Sequence, residues 1–107
     1  MEQPQEKIRR MVQKIVEQFD PEKVILFGSH ARGTAGLDSD VDLLVVMRVT
    51  GSRRKKATEI DVVLSDRDVP LDLIVVTPEQ FERDRNLIGT IVRPAVREGK
   101  VLYERAA

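Results

Sequence analysis

The chain has 107 residues, 41% hydrophobic and 34% charged, with 18 basic residues balanced by 18 acidic ones. That size suits one small domain with a single core over residues 1–107, and the charge balance gives no global reason to expect nucleic acid or an anionic membrane as partner. The absence of cysteine excludes disulfides, thiolate catalysis and cysteine-ligated zinc.

No apolar stretch approaches the roughly 20 residues that span a bilayer. The charged N-terminus, residues 1–10, lacks the apolar core of a signal peptide, so a soluble cytoplasmic protein is expected. In chain order, Ile8, Met11, Val12, Ile15, Val16 and Phe19 repeat at the spacing of an amphipathic helix, which Asp20-Pro21 should end. Val24 to Phe27 reads as a short buried strand. The next strand, about Asp40 to Met47, is nearly continuous in apolar residues after an acidic start, which implies burial on both faces.

Over residues 53–68, Arg53-Arg54-Lys55-Lys56 followed by Ala57, Ile60 and Leu64 fits a helix with one apolar side, while Ile60, Val62 and Val63 also suit a strand; helix is the favoured reading. The basic run is its solvated face. Leu71 to Val76 is a third strand, interrupted by Asp72. Thr77-Pro78-Glu79-Gln80 opens a helix, with Thr77 as N-cap, Pro78 at N1 and Gln80 at N3. A further helix is expected over Leu87 to Glu98, bent or interrupted by Pro94. Gly99 would end it before a short strand at Val101 to Tyr103, where Tyr103 is expected to be packed. Arg83, Arg85, Arg93 and Arg97 read as surface. The alternation places the chain in an α/β (α+β) class, with a small mixed β-sheet flanked by helices.

The chemistry concentrates in residues 28–42, where a glycine-punctuated turn follows one strand and two carboxylates open the next. Gly28 and Gly33 let backbone amides approach an anion closely, and a helical turn starting there presents unpaired N–H groups. Ser29 adds a hydroxyl donor to a phosphate oxygen and Arg32 adds charge. By itself such a turn only permits a tight connection. Asp40 and Asp42 change the balance. At i and i+2 on a strand they share a face, with Cα atoms about 6.5–7 Å apart. A carboxylate between Val41 and Leu43 is expensive unless paired or bound to metal.

Asp72 interrupts its strand as Asp42 does. If the two strands are neighbours, three carboxylates gather at one end of the sheet. Two magnesium ions about 3.5–4 Å apart would then stabilise the attacking and leaving oxygens of an in-line displacement. Asp40 and Asp42 would bridge the ions, and Asp72 would hold the second and help deprotonate an acceptor hydroxyl. Magnesium takes only one or two carboxylates plus the substrate phosphates, so such a site is complete only with nucleotide present.

Gly28-Ser29-His30-Ala31-Arg32-Gly33 followed by Ser39-Asp40-Val41-Asp42-Leu43 resembles the Gly-Ser-x-Ala-x-Gly and Asp-x-Asp signature of the nucleotidyltransferase superfamily (DNA polymerase β-like). The short chain and the Ala-Arg-Gly variant resemble the minimal nucleotidyltransferase (MNT, MntA-type) group. His30 stands where that group has a basic or polar residue and is assigned neither as ligand nor as base. The resemblance implies the nucleotidyltransferase fold, ATP with magnesium as substrate, and transfer of a nucleoside monophosphate to a hydroxyl with release of pyrophosphate. It also implies pairing with an all-helical HEPN protein, for which the nucleotidyltransferase is the antitoxin and whose tyrosine it can adenylylate. The alternatives are an antitoxin that only binds and occludes a HEPN-type ribonuclease and, more remotely, a small-molecule nucleotidyltransferase. Acceptor, base preference and oligomeric state stay open at this level.

Overall fold

A computed structural model describes residues 3–36 and 39–106; Leu37 and Asp38, inside the 28–42 run, lie outside the described residues. Helix α1 runs from Pro4–Phe19 and buries Ile8, Met11, Val12 and Ile15, the stripe that the spacing predicts. Asp20 ends it in the left-handed conformation (φ 48°), its N–H returning to the Val16 carbonyl. Pro21 cannot extend the helix because it has no N–H to donate.

Strand β1 (Lys23–Phe27) leads through the one-turn helix α2 (Ser29–Arg32) into β2 (Val41–Val46). Then come α3 (Arg53–Val63), β3 (Leu71–Val76), α4 (Pro78–Asp84), α5 (Val92–Glu98) and β4 (Lys100–Glu104). The strands form one sheet in the order β3-β2-β1-β4. β1 pairs antiparallel with β2 and β4, and β2 pairs parallel with β3. The sheet is therefore mixed, as expected, and the parallel pair is joined by the α3 crossover.

The core divides into two parts instead of one. Val24, Leu26, Val41, Leu43 and Val45 meet α1 and α3 on one face of the sheet. Ile25, Phe27, Leu44, Val46 and Val76 meet Phe81 of α4 with Val92 and Ala95 of α5 on the other. Alternation along β1 and β2 feeds both parts, so each strand reads as a continuous apolar run. Tyr103 packs against the α1/α3 side.

Two boundaries depart from the sequence reading. Helix α3 stops at Val63, well short of residue 68. Arg67 folds back there, its guanidinium donating to the carbonyls of Leu64 (3.0 Å) and Asp61 (3.4 Å) while pairing with the Asp61 carboxylate at 3.0 Å. These donors satisfy carbonyls that another helical turn would otherwise have used. Residues 87–91 are turns instead of helix, with Gly89 at φ 93°. Starting α5 at Val92 puts Pro94 in the first turn, where no N–H is needed. Gly99 ends α5 as the sequence reading expects, in an extended conformation (φ −82°, ψ 173°). Its requirement is spatial: a Cβ there would lie 2.2 Å from the Ala95 carbonyl oxygen and 2.8 Å from that of Leu26.

Candidate active site

Strand β1 ends at Phe27, whose register partner on β2 is Asp42. The chain turns immediately at Gly28, with φ 76° and ψ −156°, a region essentially restricted to glycine. A Cβ at Gly28 would lie 2.1 Å from Oδ2 of Asp42. The glycine is thus required twice, by its dihedrals and by the carboxylate that lies against it. Ser29 begins α2, and Gly33 closes it in the left-handed conformation (φ 77°), its N–H bonded to the Ser29 carbonyl. Ser29 and Arg32 therefore sit on one short turn directly above the Asp42 end of the sheet. Arg32 is half-exposed and faces Glu98 at 3.8 Å.

Asp42 and Asp72 are direct register partners across the parallel β2/β3 pair, which places their Cα atoms about 4.8 Å apart. Their side chains project on the face that carries Leu44 and Val76, the α4/α5 side of the sheet. Asp42 is half-buried, whereas Asp40 and Asp72 are exposed. Asp40 stands just before the first residue of β2 and not within the strand. The ladder begins with the Val41 N–H, which donates to the Pro70 carbonyl at 2.8 Å.

The pKa of Asp42 is raised from its ordinary value of 3.8, first by burial and then by the negative charges of Asp72 and Asp40. His30 and Arg32 pull it back down. All three carboxylates thus act on one point electrostatically, along with two side chains of the glycine turn. Hard oxygen donors in mutual repulsion suit a hard divalent cation, which would relieve that repulsion. Among the described residues, however, no three His, Cys, Asp or Glu side chains form a group that could hold a metal ion unaided. The carboxylates share a sheet end without closing into a cage, which fits a metal that completes its shell with substrate phosphates and water.

His30, set aside in the sequence reading, also belongs here: its Nε2 lies 3.2 Å from the Ser39 carbonyl oxygen. Its position in the glycine motif was the only sequence signal for this contact. The basic run of α3 remains a solvated face, capped by Ser52, whose hydroxyl accepts from the Lys55 N–H at 3.1 Å. Arg83 and Arg85 pair with the neighbouring Asp84 and Glu82.

A family model described as a nucleotidyltransferase domain matches residues 6–99. A protein of Methanocaldococcus jannaschii, provisionally named a protein adenylyltransferase, is 36% identical over 104 residues, covering 88% of this chain and 67% of that protein. Among solved structures, a provisionally described nucleotidyltransferase of Sulfolobus solfataricus superposes with a TM-score of 0.59 at 22% identity, covering 94% of this chain and 79% of that one. A toxin–antitoxin structure with AMP-PNP gives 0.58 at 23% identity, covering 91% and 73%. The complex of a tri-AMPylated Shewanella oneidensis HEPN toxin with its MNT antitoxin gives 0.57 at 19%, covering 94% and 72%. At these identities the three solved structures establish a common fold.

Proposed function

The chain belongs to the nucleotidyltransferase domain family and is a nucleotidyltransferase, and from that premise we propose that it transfers AMP from Mg-ATP to a hydroxyl of a protein partner. The observation that carries this reading is the register pairing of Asp42 with Asp72 beneath the Gly28 turn. In the reaction the acceptor oxygen attacks the α-phosphorus, the bond between that phosphorus and the α–β bridging oxygen breaks, and pyrophosphate leaves with the electron pair. Ser29, Arg32 and the backbone at Gly28 and Gly33 hold the phosphates. Asp40, Asp42 and Asp72 would hold magnesium, which would supply charge neutralisation to the transfer. Asp72, exposed on the outer strand of the sheet, takes the acceptor proton.

The provisional adenylyltransferase name of the archaeal relative supports a protein acceptor. The AMPylated HEPN toxin bound to an MNT antitoxin supports a HEPN-type helical partner, and the AMP-PNP complex supports an adenine nucleotide. The test is incubation with α-labelled ATP, magnesium and a HEPN-type partner. Label should appear on the partner and disappear with Asp42→Asn. Inhibition of the partner that persists in that variant without ATP would establish occlusion instead.

A further inference from the structure

We propose that His30 is a positioning residue: by donating its Nε2–H to the Ser39 main-chain carbonyl it fixes where Asp40 stands relative to Asp42, coupling the phosphate-holding turn to the metal-holding carboxylates. The proposal rests on the nucleotidyltransferase reading of the site and gives a role to the chain's single histidine.

The imidazole is half-buried on the first turn of α2, and its Nε2 lies 3.2 Å from the Ser39 oxygen. A carbonyl only accepts, so the proton of this bond resides on Nε2. Ser39 is itself a node of the connection: its hydroxyl accepts from the Gly36 N–H at 2.8 Å, and its N–H donates to the Gly36 carbonyl at 3.3 Å.

The consequence falls on Asp40. Two peptide planes flank its Cα. The first contains the Ser39 carbonyl and is held by His30; the second shares its plane with the Val41 N–H, held at 2.8 Å by the Pro70 carbonyl. With both planes anchored, the direction of the Asp40 side chain follows from α2 on one side and from the β2/β3 ladder on the other. Loss of the histidine bond releases the first plane and leaves Asp40 without a defined place relative to Asp42, which the strand keeps fixed beside Asp72. The bond also occupies Nε2, so that nitrogen is not the base that takes the acceptor proton.

The test uses the intact chain with Mn2+ as the metal probe and α,β-methylene-ATP as an inert nucleotide, free metal being read by electron paramagnetic resonance. Outer-shell partners of metal ligands typically change affinity 10- to 100-fold, so His30→Ala should weaken Mn2+ binding roughly 10-fold while nucleotide binding without metal stays the same. His30→Gln, whose amide nitrogen reaches the place of Nε2, should restore most of the affinity. His30→Asn, whose amide reaches only the place of Nδ1, should not. A folded His30→Ala that binds Mn2+ like the wild type overturns the proposal, as do Gln and Asn variants that behave alike. Wild-type protein that binds no Mn2+ overturns the underlying reading of the site instead. In either event, 15N spectra of the sole imidazole in the wild-type protein decide the bond: Nε2 is expected to carry a proton, and a proton on Nδ1 alone rules the bond out.

Discussion

Half-buried beside two other carboxylates, Asp42 binds its proton more tightly in the folded protein than in the unfolded chain. The sign of the resulting pH dependence follows from linkage. A group whose pKa is raised on folding contributes most favourably below its unfolded value, here 3.8, and that contribution is lost as pH rises through the folded value. At neutral pH the ionised Asp42 is therefore a local cost that the fold carries for the sake of the site. Asp42→Asn should raise Tm at pH 7, and the gain should shrink to nothing as pH falls below the carboxylate range. Magnesium with nucleotide should stabilise the wild type more than the variant. Thermal unfolding across pH checks this, and a variant less stable than the wild type at pH 7 refutes it. The carboxylates were legible in the sequence because apolar strands tolerate Asp only for a reason. The dependence of Gly28 on Asp42 was not legible, since it arises from a register in which Phe27 faces Asp42 across two strands. The His30–Ser39 bond was hidden in the same way, because a nine-residue separation along the chain gives no periodic signal.

Among the elements, those defined by periodicity and caps were readable, and those defined by a return of the chain onto itself were not. Thr77 illustrates the first kind: its hydroxyl accepts from the Gln80 N–H at 3.1 Å, Pro78 follows at N1, and α4 begins where the sequence places it. Residues 87–91 illustrate the second. Leu87, Ile88 and Ile91 have the spacing of a buried helical face yet remain exposed, Ile88 at 78%. The Thr90 hydroxyl instead organises a turn, lying 2.9 Å from the Leu87 carbonyl and 3.0 Å from that of Asp84. Nothing in the apolar pattern encodes that competition between a side-chain hydroxyl and the helix ladder. The Thr77 cap lies at the end of β3 away from Asp72, so its loss should register in stability and not in chemistry. Thr77→Ala should cost about 1 kcal/mol in urea unfolding, with the rate of nucleotidyl transfer unchanged. A loss of several kcal/mol would mean that α4 depends on this bond far more than an ordinary N-cap does.

At the scale of the whole molecule, the two halves of the core are separate in composition but joined through the same two strands. Leu43 faces α1 and α3, Leu44 faces α4 and α5, and both are fully buried. Because β1 and β2 supply side chains to each half, neither half can lose its packing while the central strands keep theirs. The protein should therefore unfold as one unit despite its divided core, as small domains commonly do. The chain offers a probe on one side only: Tyr103, its single tyrosine in the absence of tryptophan, packs against the α1/α3 half. Leu44→Ala removes packing from the opposite half, at a cost of about 2–5 kcal/mol for a buried leucine. Against a total stability of roughly 5–15 kcal/mol, that loss should lower Tm by about 10 °C or more. Under cooperative unfolding, Tyr103 fluorescence and far-ultraviolet circular dichroism should fall together at the same shifted midpoint. If the tyrosine signal kept its wild-type midpoint while the dichroism moved, the halves would be independent. In that case the Asp42–Asp72 pair, which projects on the α4/α5 side from strands shared by both, would not inherit its rigidity from the whole fold.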